Sequence, residues 1–175
     1  MSYGAVLKLY GVTQDPETED YMIVMQYASN GNLLFYLEQN INRLTWRMKL
    51  LYLKQLAHNL WAFHNTGFVH CDLHAGNIVL SGTSPFICDL GLSRSVNSRE
   101  SNSTVRGVLP FIAPEVFHTC KFTQKSDVYS FGIFMYLIAT GEPPFRDRQF
   151  DRDLVCNIMT IDDSAPEGQT RQTVL

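Results

Sequence analysis

The fold is decided by the stretch His70-Cys71-Asp72-Leu73-His74-Ala75-Gly76-Asn77, together with Asp89-Leu90-Gly91 twelve residues further along the chain. The first stretch offers a carboxylate at position 72 and an amide at position 77, and the second adds another carboxylate in a short turn. Phosphoryl transfer from a metal–nucleotide complex uses these groups, since one carboxylate takes a hydroxyl proton while the amide and the second carboxylate hold metal. The spacing therefore favours phosphoryl-transfer chemistry.

Two further motifs lie downstream. They are Ala113-Pro114-Glu115 and the run Lys125-Ser126-Asp127-Val128-Tyr129-Ser130-Phe131-Gly132. The four motifs, in this order, resemble the protein kinase family, and together they are far more specific than any one alone. The resemblance implies an α+β, protein kinase-like fold, which consists mostly of the helical large lobe with two residual strands of the smaller N-lobe. It also implies ATP-dependent phosphorylation of proteins on Ser or Thr, with Tyr as a further acceptor, in signalling.

The resemblance assigns roles to three polar residues. Asp72 would be the catalytic base, which accepts the proton of the substrate hydroxyl. Asn77 would belong to the same catalytic set, and Asn77 and Asp89 would be the metal ligands, with hard oxygen donors suited to Mg²⁺. The alternative for Asp72 is a surface carboxylate that caps a turn, and its spacing to Asn77 and Asp89 argues against this.

The resemblance also locates the adenine end of the ATP site. Met25 would be the gatekeeper, and the backbone of Gln26 and Ala28 would pair with the adenine edge. Val79 would support the ring from below, and Asp89 would complete the cofactor-binding set through the metal. For Met25 and Val79, plain core packing is the alternative, and both roles can hold at once.

Two other interpretations of the same loop stay open. His70, Asp72 and His74 lie two residues apart on an extended segment and could share a metal ion, although no fourth ligand is evident. The pattern also resembles small-molecule kinases related to aminoglycoside and choline phosphotransferases, which ordinarily lack the two downstream motifs. His70 itself is expected to be structural, with its ring in a hydrophobic stack that contacts Leu90.

Three residues depart from the kinase pattern. Cys71 stands where many kinases have Arg, so phosphates on the activation segment would lose their usual partner there. His74 stands where Ser/Thr kinases typically carry a Lys that helps to hold the transferred phosphate. Val108 replaces the usual Thr of the substrate-docking loop, and one hydroxyl that would support Asp72 is therefore missing. The rest of this loop resembles the Ser/Thr and tyrosine-kinase-like form.

The sequence contains no Gly-x-Gly-x-x-Gly loop and no Val-Ala-Ile-Lys strand. We therefore expect a kinase domain that lacks most of the smaller lobe and the end of the larger one. Its expected parts are residual strands and hinge over 1–28, a kinase-like large lobe over 29–160, and a divergent, disordered tail over 161–175. A catalytically impaired kinase-like binding module is the alternative function.

The missing phosphate loop has an expected energetic consequence. Charge-assisted hydrogen bonds contribute roughly 1.5–3 kcal/mol each, so losing three phosphate contacts removes about 5–9 kcal/mol if they add. A micromolar nucleotide complex corresponds to only about −8 kcal/mol. We therefore expect ATP affinity to be weak in this chain.

Composition excludes several other classes of protein. The 175 residues are 45% hydrophobic and 18% charged, an ordinary globular mixture. A formal net charge of −3 gives no nucleic-acid or polybasic membrane footprint, and the longest apolar run, over 131–139, is too short to span a bilayer. The four cysteines form no C-x-x-C pair, which favours reduced thiols and a cytoplasmic location. The expected partners are a protein substrate and ATP.

Hydrophobic patterning predicts the main elements. Strands are expected over 5–12 and 21–27, and helices over 32–39, 46–65 and 125–140. The last of these helices is apolar on nearly all sides, which is typical of a central, buried helix. On the second helix, one stripe is expected to be buried, formed by Leu53, Leu56, Ala57, Leu60 and His64.

The segments around the catalytic loop carry three further expectations. Short strands over 68–70, 78–80 and 86–88 would flank the loop. Asp127 would tie the loop to the central helix through backbone hydrogen bonds. The polar, Ser-rich segment over 93–106 is typical of a mobile activation segment, in which several hydroxyls could be phosphorylated.

Overall fold

Two antiparallel strands come first in the part of the chain that the computed structural model describes, namely residues 4–98, 105–148 and 152–163. Strand β1 (Leu9–Gln14) pairs with strand β2 (Tyr21–Met25). The turn between them is held by the carboxylate of Asp15, which accepts hydrogen bonds from the backbone N–H groups of Glu17 and Thr18. Such side-chain-to-backbone bonds are what make Asp a turn-forming residue.

The first strand begins four residues later than predicted, because residues 5–7 pair elsewhere. The backbone N–H of Leu7 donates to the carbonyl of Ile87 at 3.1 Å, and the carbonyl of Ala5 accepts from the N–H of Ile87 at 3.3 Å. This segment therefore connects β1 to the rest of the chain. The second strand, predicted over 21–27, ends at Met25.

Helices make up most of the remaining described residues, and three of the predicted ones are confirmed to within one residue at nearly every end. Helix α1 begins after Asn32, whose side-chain oxygen accepts from the N–H of Phe35 at 2.9 Å. Helix α2 begins after Thr45, whose hydroxyl accepts from the N–H of Met48 at 3.3 Å. Both residues satisfy amide groups that the first helical turn leaves unpaired. The helices are α1 (Leu33–Asn40), α2 (Trp46–His64), α3 (Pro114–Thr119), α4 (Gln124–Thr140) and α5 (Arg152–Asp163).

Four short strands surround the loop that carries Asp72 and Asn77. They form two antiparallel pairs, which are β3 (Phe68–Val69) with β6 (Arg94–Ser95), and β4 (Ile78–Ser81) with β5 (Ser84–Ile87). Strands β3, β4 and β5 match the three predicted short strands to within two residues, whereas β6 was not predicted. The described chain is thus α+β, with far more helix than strand, as the resemblance implied. Within the described residues, no helix is both long enough and apolar enough to cross a membrane.

The main core lies where α1, α2 and α4 meet the β4–β5 hairpin. The stripe predicted on α2 is partly wrong, since Ala57 is exposed and Leu53 is only half-buried. The buried residues of α2 are instead Tyr52, Leu56, Asn59, Leu60 and Phe63. Two of these are polar but satisfied: the amide of Asn59 donates to the carbonyl of Pro85 at 2.8 Å, and the hydroxyl of Tyr52 lies 2.9 Å from that of Tyr36.

Helix α4 does not have the burial that its composition predicts. Phe134, Leu137 and Ile138 are almost fully buried, because α2 and the segment around Phe111 pack on that side. On the other side, three large side chains are about half exposed, namely Val128 (55%), Met135 (47%) and Tyr136 (49%). The helix expected to be central and buried is therefore buried on one side and exposed on the other among the described residues.

Helix α5 extends into the segment predicted to be a disordered tail. It runs from Arg152 to Asp163, and Leu154 and Ile158 are buried. Residues 161–163 are thus helical, whereas residues 164–175 lie outside the described part of the chain. Of the Ser-rich activation segment, residues 99–104 also lie outside it.

Gly141 ends α4 in a way that few other residues allow, with a φ of 85° and its N–H bonded to the carbonyl of Leu137. A Cβ at this position would lie 2.5 Å from Cγ1 of Ile41. We expect Gly141→Ala to lower the free energy of unfolding by about 2 kcal/mol, because the left-handed conformation and the close contact both oppose a side chain. Urea denaturation measures this change.

Gly132 is the matched control within the same helix. It is exposed, and a Cβ there would meet no atom within 4 Å. Gly132→Ala should raise the free energy of unfolding by about 0.5–1 kcal/mol, because Ala loses less backbone entropy than Gly in a helix. Two substitutions that both destabilise, or both stabilise, would contradict this account of α4.

Candidate active site

Asp127, in the first turn of α4, anchors the loop that carries the candidate catalytic residues. Its carboxylate accepts hydrogen bonds from the backbone N–H groups of His70 (2.8 Å) and Cys71 (3.3 Å). The predicted tie between the loop and the central helix is confirmed. These bonds hold Cys71 at a φ of 67°, a left-handed conformation that costs free energy in a residue other than Gly.

His64 is a third partner of Asp127 that the sequence analysis missed. Its Nε2–H donates to the carboxylate of Asp127 at 2.8 Å, from the last turn of α2. His64 was expected to be the last member of the buried stripe of that helix. A signal was present, because the helix ends six residues before His70 and a polar side chain in its last turn can reach the loop that follows.

The ring of His70 is completely buried and joins the two motifs that carry the candidate site. Its Nε2 lies 3.1 Å from the carbonyl of Cys88, and its Nδ1 accepts from the N–H of Asp72 at 3.4 Å. The ring also packs against Phe63, with 5.9 Å between ring centroids. Because a carbonyl can only accept, Nε2 carries the proton and the neutral ring satisfies both contacts. The predicted structural role of His70 fits this geometry.

Burial lowers the pKa of His70, although the carboxylate of Asp127 acts in the opposite direction. The unfolded chain therefore binds a proton on this residue at a higher pH than the folded chain does. By linkage, the stability that the neutral ring contributes is present above about pH 6.5 and is lost as the pH falls below this value. We expect the free energy of unfolding from urea titrations to be smaller at pH 5.5 than at pH 7.5.

Two variants separate His70 from the other titratable groups. His70→Gln should reduce the difference in the free energy of unfolding between pH 5.5 and pH 7.5, even if it lowers the stability at both pH values. Gly132→Ala, which changes no titratable group, should leave that difference as it is in the wild type. If the free energy of unfolding depends on pH equally in the wild type and in His70→Gln, the pH dependence does not come from His70.

Asp72 is held by Asn77, five residues further along the chain. The side-chain amide of Asn77 donates to the backbone carbonyl of Asp72 at 2.9 Å and to its Oδ2 at 3.3 Å. The backbone carbonyl of Asn77 in turn accepts from the N–H of Cys88 at 2.9 Å. Asn77 thus connects the loop of Asp72 to the residue directly before Asp89. The Asp72 side chain keeps 18% of its surface exposed, so a substrate can reach it.

The chemistry of Asn77 and Asp89 fits a magnesium ion. Because the amide nitrogen of Asn77 faces Asp72, the oxygen of the same amide is the end left for a cation. Asp89, at a φ of 58°, is exposed, and its Oδ1 accepts from the N–H of Gly91 at 3.2 Å. Two oxygen donors suit Mg²⁺, which usually keeps waters and binds nucleotide phosphates besides one or two protein ligands.

The alternative site formed by His70, Asp72 and His74 is not supported by the geometry. Among residues 4–98, 105–148 and 152–163, no three His, Cys, Asp or Glu side chains come together as metal ligands. Both ring nitrogens of His70 are already used by backbone groups.

The segment that carries Gln26 and Ala28 is the candidate adenine-binding segment. It leaves one backbone acceptor and one backbone donor free to bind a ligand. The N–H of Gln26 donates to the carbonyl of Lys8 at 2.8 Å, and the carbonyl of Ala28 accepts from the N–H of Gly31 at 3.2 Å. In the described hydrogen bonding, this leaves the carbonyl of Gln26 and the N–H of Ala28. An adenine edge presents the complementary pair, an amino donor and a ring-nitrogen acceptor.

Val79 and Met25 lie near this segment, in different surroundings. Val79 is half-buried in β4 and forms a bridge with Asn32, while the carbonyl of neighbouring Leu80 accepts from the N–H of Asn30. Val79 is therefore adjacent to the candidate hinge. Met25 ends β2 with 47% of its surface exposed, so the alternative of plain core packing does not apply to it among the described residues.

Comparisons with known proteins identify similar protein kinases. Residues 1–168 match the family model for protein tyrosine and serine/threonine kinases. The chain is 30% identical, over 97% of its length, to a probable leucine-rich repeat receptor-like protein kinase of Arabidopsis thaliana. It is 33% identical, over 85% of its length, to the tyrosine-protein kinase TXK of Homo sapiens. It is 30% identical, over 81% of its length, to a serine/threonine-protein kinase of Caenorhabditis briggsae.

The chain belongs to the protein tyrosine and serine/threonine kinase family. Its α+β fold, with more helix than strand, is the fold that this membership implies. Membership of this family also argues against the interpretation as a small-molecule phosphotransferase. The chain spans 16%, 28% and 12% of the lengths of the three relatives.

Proposed function

We propose that this chain is an ATP- and Mg²⁺-dependent protein kinase domain that phosphorylates Ser and Thr side chains of proteins, in cytoplasmic signalling. Asp72 accepts the proton of the acceptor hydroxyl, and Asn77 and Asp89 hold the metal. The backbone of Gln26 and Ala28 binds the adenine edge, between Met25 and Val79. Free thiols at all four cysteines suit a reducing compartment.

The observation that carries this proposal is the double contact of Asn77 with Asp72. One amide holds both the backbone carbonyl and the carboxylate of the base, so the base and a metal ligand have a fixed relative position. Bound Mg·ATP would supply the phosphoryl group and neutralise its charge. The chain's own contribution is to orient the acceptor hydroxyl and to take its proton, which positioning makes efficient.

The choice of Ser and Thr as acceptors rests on the loop opposite Asp72. Residues 107–115 resemble the substrate-docking loop of Ser/Thr and tyrosine-kinase-like enzymes. Gly107 lies against Asp72, since a Cβ at Gly107 would be 3.4 Å from Oδ1 of the carboxylate. The similar proteins include kinases named for either acceptor, so Tyr is the second acceptor class to test.

The test is transfer of the γ-phosphoryl group of ATP to three peptides that differ only in carrying Ser, Thr or Tyr. We expect Mg²⁺-dependent phosphorylation of the Ser and Thr peptides and little of the Tyr peptide. Phosphorylation of the Tyr peptide alone would overturn the acceptor assignment. Hydrolysis of ATP without any phosphopeptide product would overturn the proposed kinase function.

A second candidate function is a kinase-like module that binds partners without transferring phosphate. Two departures within the loop of Asp72 favour it, namely Cys71 where many kinases have Arg and His74 where Ser/Thr kinases typically carry Lys. The two functions differ in their response to Mg·ATP, since the binding module requires neither nucleotide binding nor phosphopeptide formation.

A further inference from the structure

His74 has no role in the proposed function, yet its ring is fixed from three directions. Its Nδ1 accepts from the backbone N–H of Gly76 at 3.1 Å. The ring of Phe111 meets it edge-on, with 6.4 Å between ring centroids. Its Nε2 lies 3.6 Å from Oδ2 of Asp72, and about one fifth of the His74 side chain is exposed.

The contact with Gly76 determines which ring nitrogen of neutral His74 carries the proton. Because Nδ1 accepts a hydrogen bond from an N–H group, the proton is on Nε2. The Nε2–H group therefore faces the carboxylate of Asp72. At 3.6 Å the contact is longer than a hydrogen bond, and catalytic contacts often have this length before substrate tightens the site.

Gly76 provides the space that the ring occupies. A Cβ at position 76 would lie 2.8 Å from Cε1 and 3.0 Å from Nδ1 of His74, and it would meet no other atom within 4 Å apart from its chain neighbours. The φ of Gly76 is not in the left-handed region, so Ala can adopt the backbone conformation. A side chain at position 76 would therefore act on His74 alone.

We propose that His74 is a positioning residue for Asp72, an inference that rests on the proposed role of Asp72 as the base. The Nε2–H of His74 and the amide of Asn77 both face Oδ2 of Asp72. Oδ1 is then the oxygen left for the acceptor hydroxyl, on the side of Gly107. His74 thus acts on the carboxylate that takes the proton.

The test is a double-mutant cycle between His74 and Gly76, measured as kcat and KM for the preferred peptide. His74→Ala should lower kcat about tenfold and leave the peptide KM within about twofold, because a displaced base slows the transfer and not the binding. His74→Gln should recover most of the loss, since its amide N–H can replace Nε2–H. Gly76→Ala should also lower kcat several-fold.

The cycle separates positioning from general damage to the loop. In the His74→Ala background, Gly76→Ala should have no further effect, because the only ring that it displaces is gone. Thermal unfolding of each variant shows whether it is folded. If His74→Ala does not fold, the kcat of Gly76→Ala, in which His74 is intact but displaced, tests the inference instead. The control His118→Ala, at an exposed histidine of α3, should leave kcat unchanged.

Three results would overturn the inference: kcat of His74→Ala within twofold of the wild type, His74→Gln as slow as His74→Ala, or a Gly76→Ala effect that is equal in both backgrounds. Asp72→Asn, measured in parallel, identifies which proposal has failed. A large loss in Asp72→Asn with none in His74→Ala removes only the inference. No loss in Asp72→Asn, or a wild type without transfer, removes the proposed function and the inference together.

Discussion

Replacing Asp127 with Ala is expected to lower the free energy of unfolding by about 3–5 kcal/mol, a large share of the roughly 5–15 kcal/mol of a typical domain. The carboxylate is almost fully buried and is the acceptor for the N–H groups of His70 and Cys71 and for the ring of His64. Its removal leaves buried donors without partners, and each such donor costs about 1–3 kcal/mol. Chemical denaturation at pH 7.5 measures the change.

Two companions make this experiment specific. Asp127→Asn keeps one side-chain oxygen as an acceptor and should give a smaller loss than Ala. Asp147→Ala, at an exposed aspartate, should change the stability by less than about 0.5 kcal/mol. A loss below about 1 kcal/mol for Asp127→Ala would mean that the catalytic loop does not depend on this anchor.

Replacing Asp72 with Asn is expected to lower kcat for phosphotransfer about 10²–10⁴-fold, the usual contribution of a positioned general base. The substitution is nearly isosteric, and the Asn oxygen can still accept from the amide of Asn77. Its amide nitrogen cannot accept the proton of the acceptor hydroxyl. The loss should therefore be in kcat, with the KM for peptide and the free energy of unfolding both little changed.

The matched control for Asp72→Asn is Asp20→Asn, at an exposed aspartate directly before β2. It removes the same charge without touching the candidate site and should leave kcat unchanged. Equal rates for the wild type and Asp72→Asn would show that Asp72 is not the base. Equal losses in both variants would show that the effect is one of net charge.

The parts of the structure that sequence patterns predicted well are those governed by local rules. Helices α1 and α2 begin within one residue of their predicted starts, where Asn32 and Thr45 cap the segments that follow. The five-residue spacing of Asp72 and Asn77 indicated one shared site, and the hydrogen bonds between them are what the structure adds. The tie from Asp127 to His70 is distant in sequence, and it was expected only because the four motifs together resemble one family.

The parts that were predicted poorly depend on contacts between distant segments. Ala57 belongs to an apolar period but faces solvent, because the side of α2 that carries Tyr52, Leu56 and Asn59 is the one that packs on β5. Val128 is apolar but exposed, because the described residues pack on the other side of its helix. The start of β1 moved because residues 5–7 pair with Ile87. No local pattern contains this information.

The most direct test of the account is thermal unfolding of the purified chain with and without millimolar Mg·ATP. Binding to the folded state adds RT ln(1 + [L]/Kd), which is roughly 1.4 kcal/mol at ten times Kd, so even weak binding is visible. We predict a cooperative transition that Mg·ATP raises, and a smaller rise in Asp89→Asn, which lacks one metal ligand. A cooperative transition that Mg·ATP leaves unchanged would contradict a nucleotide site in this chain and favour the binding module.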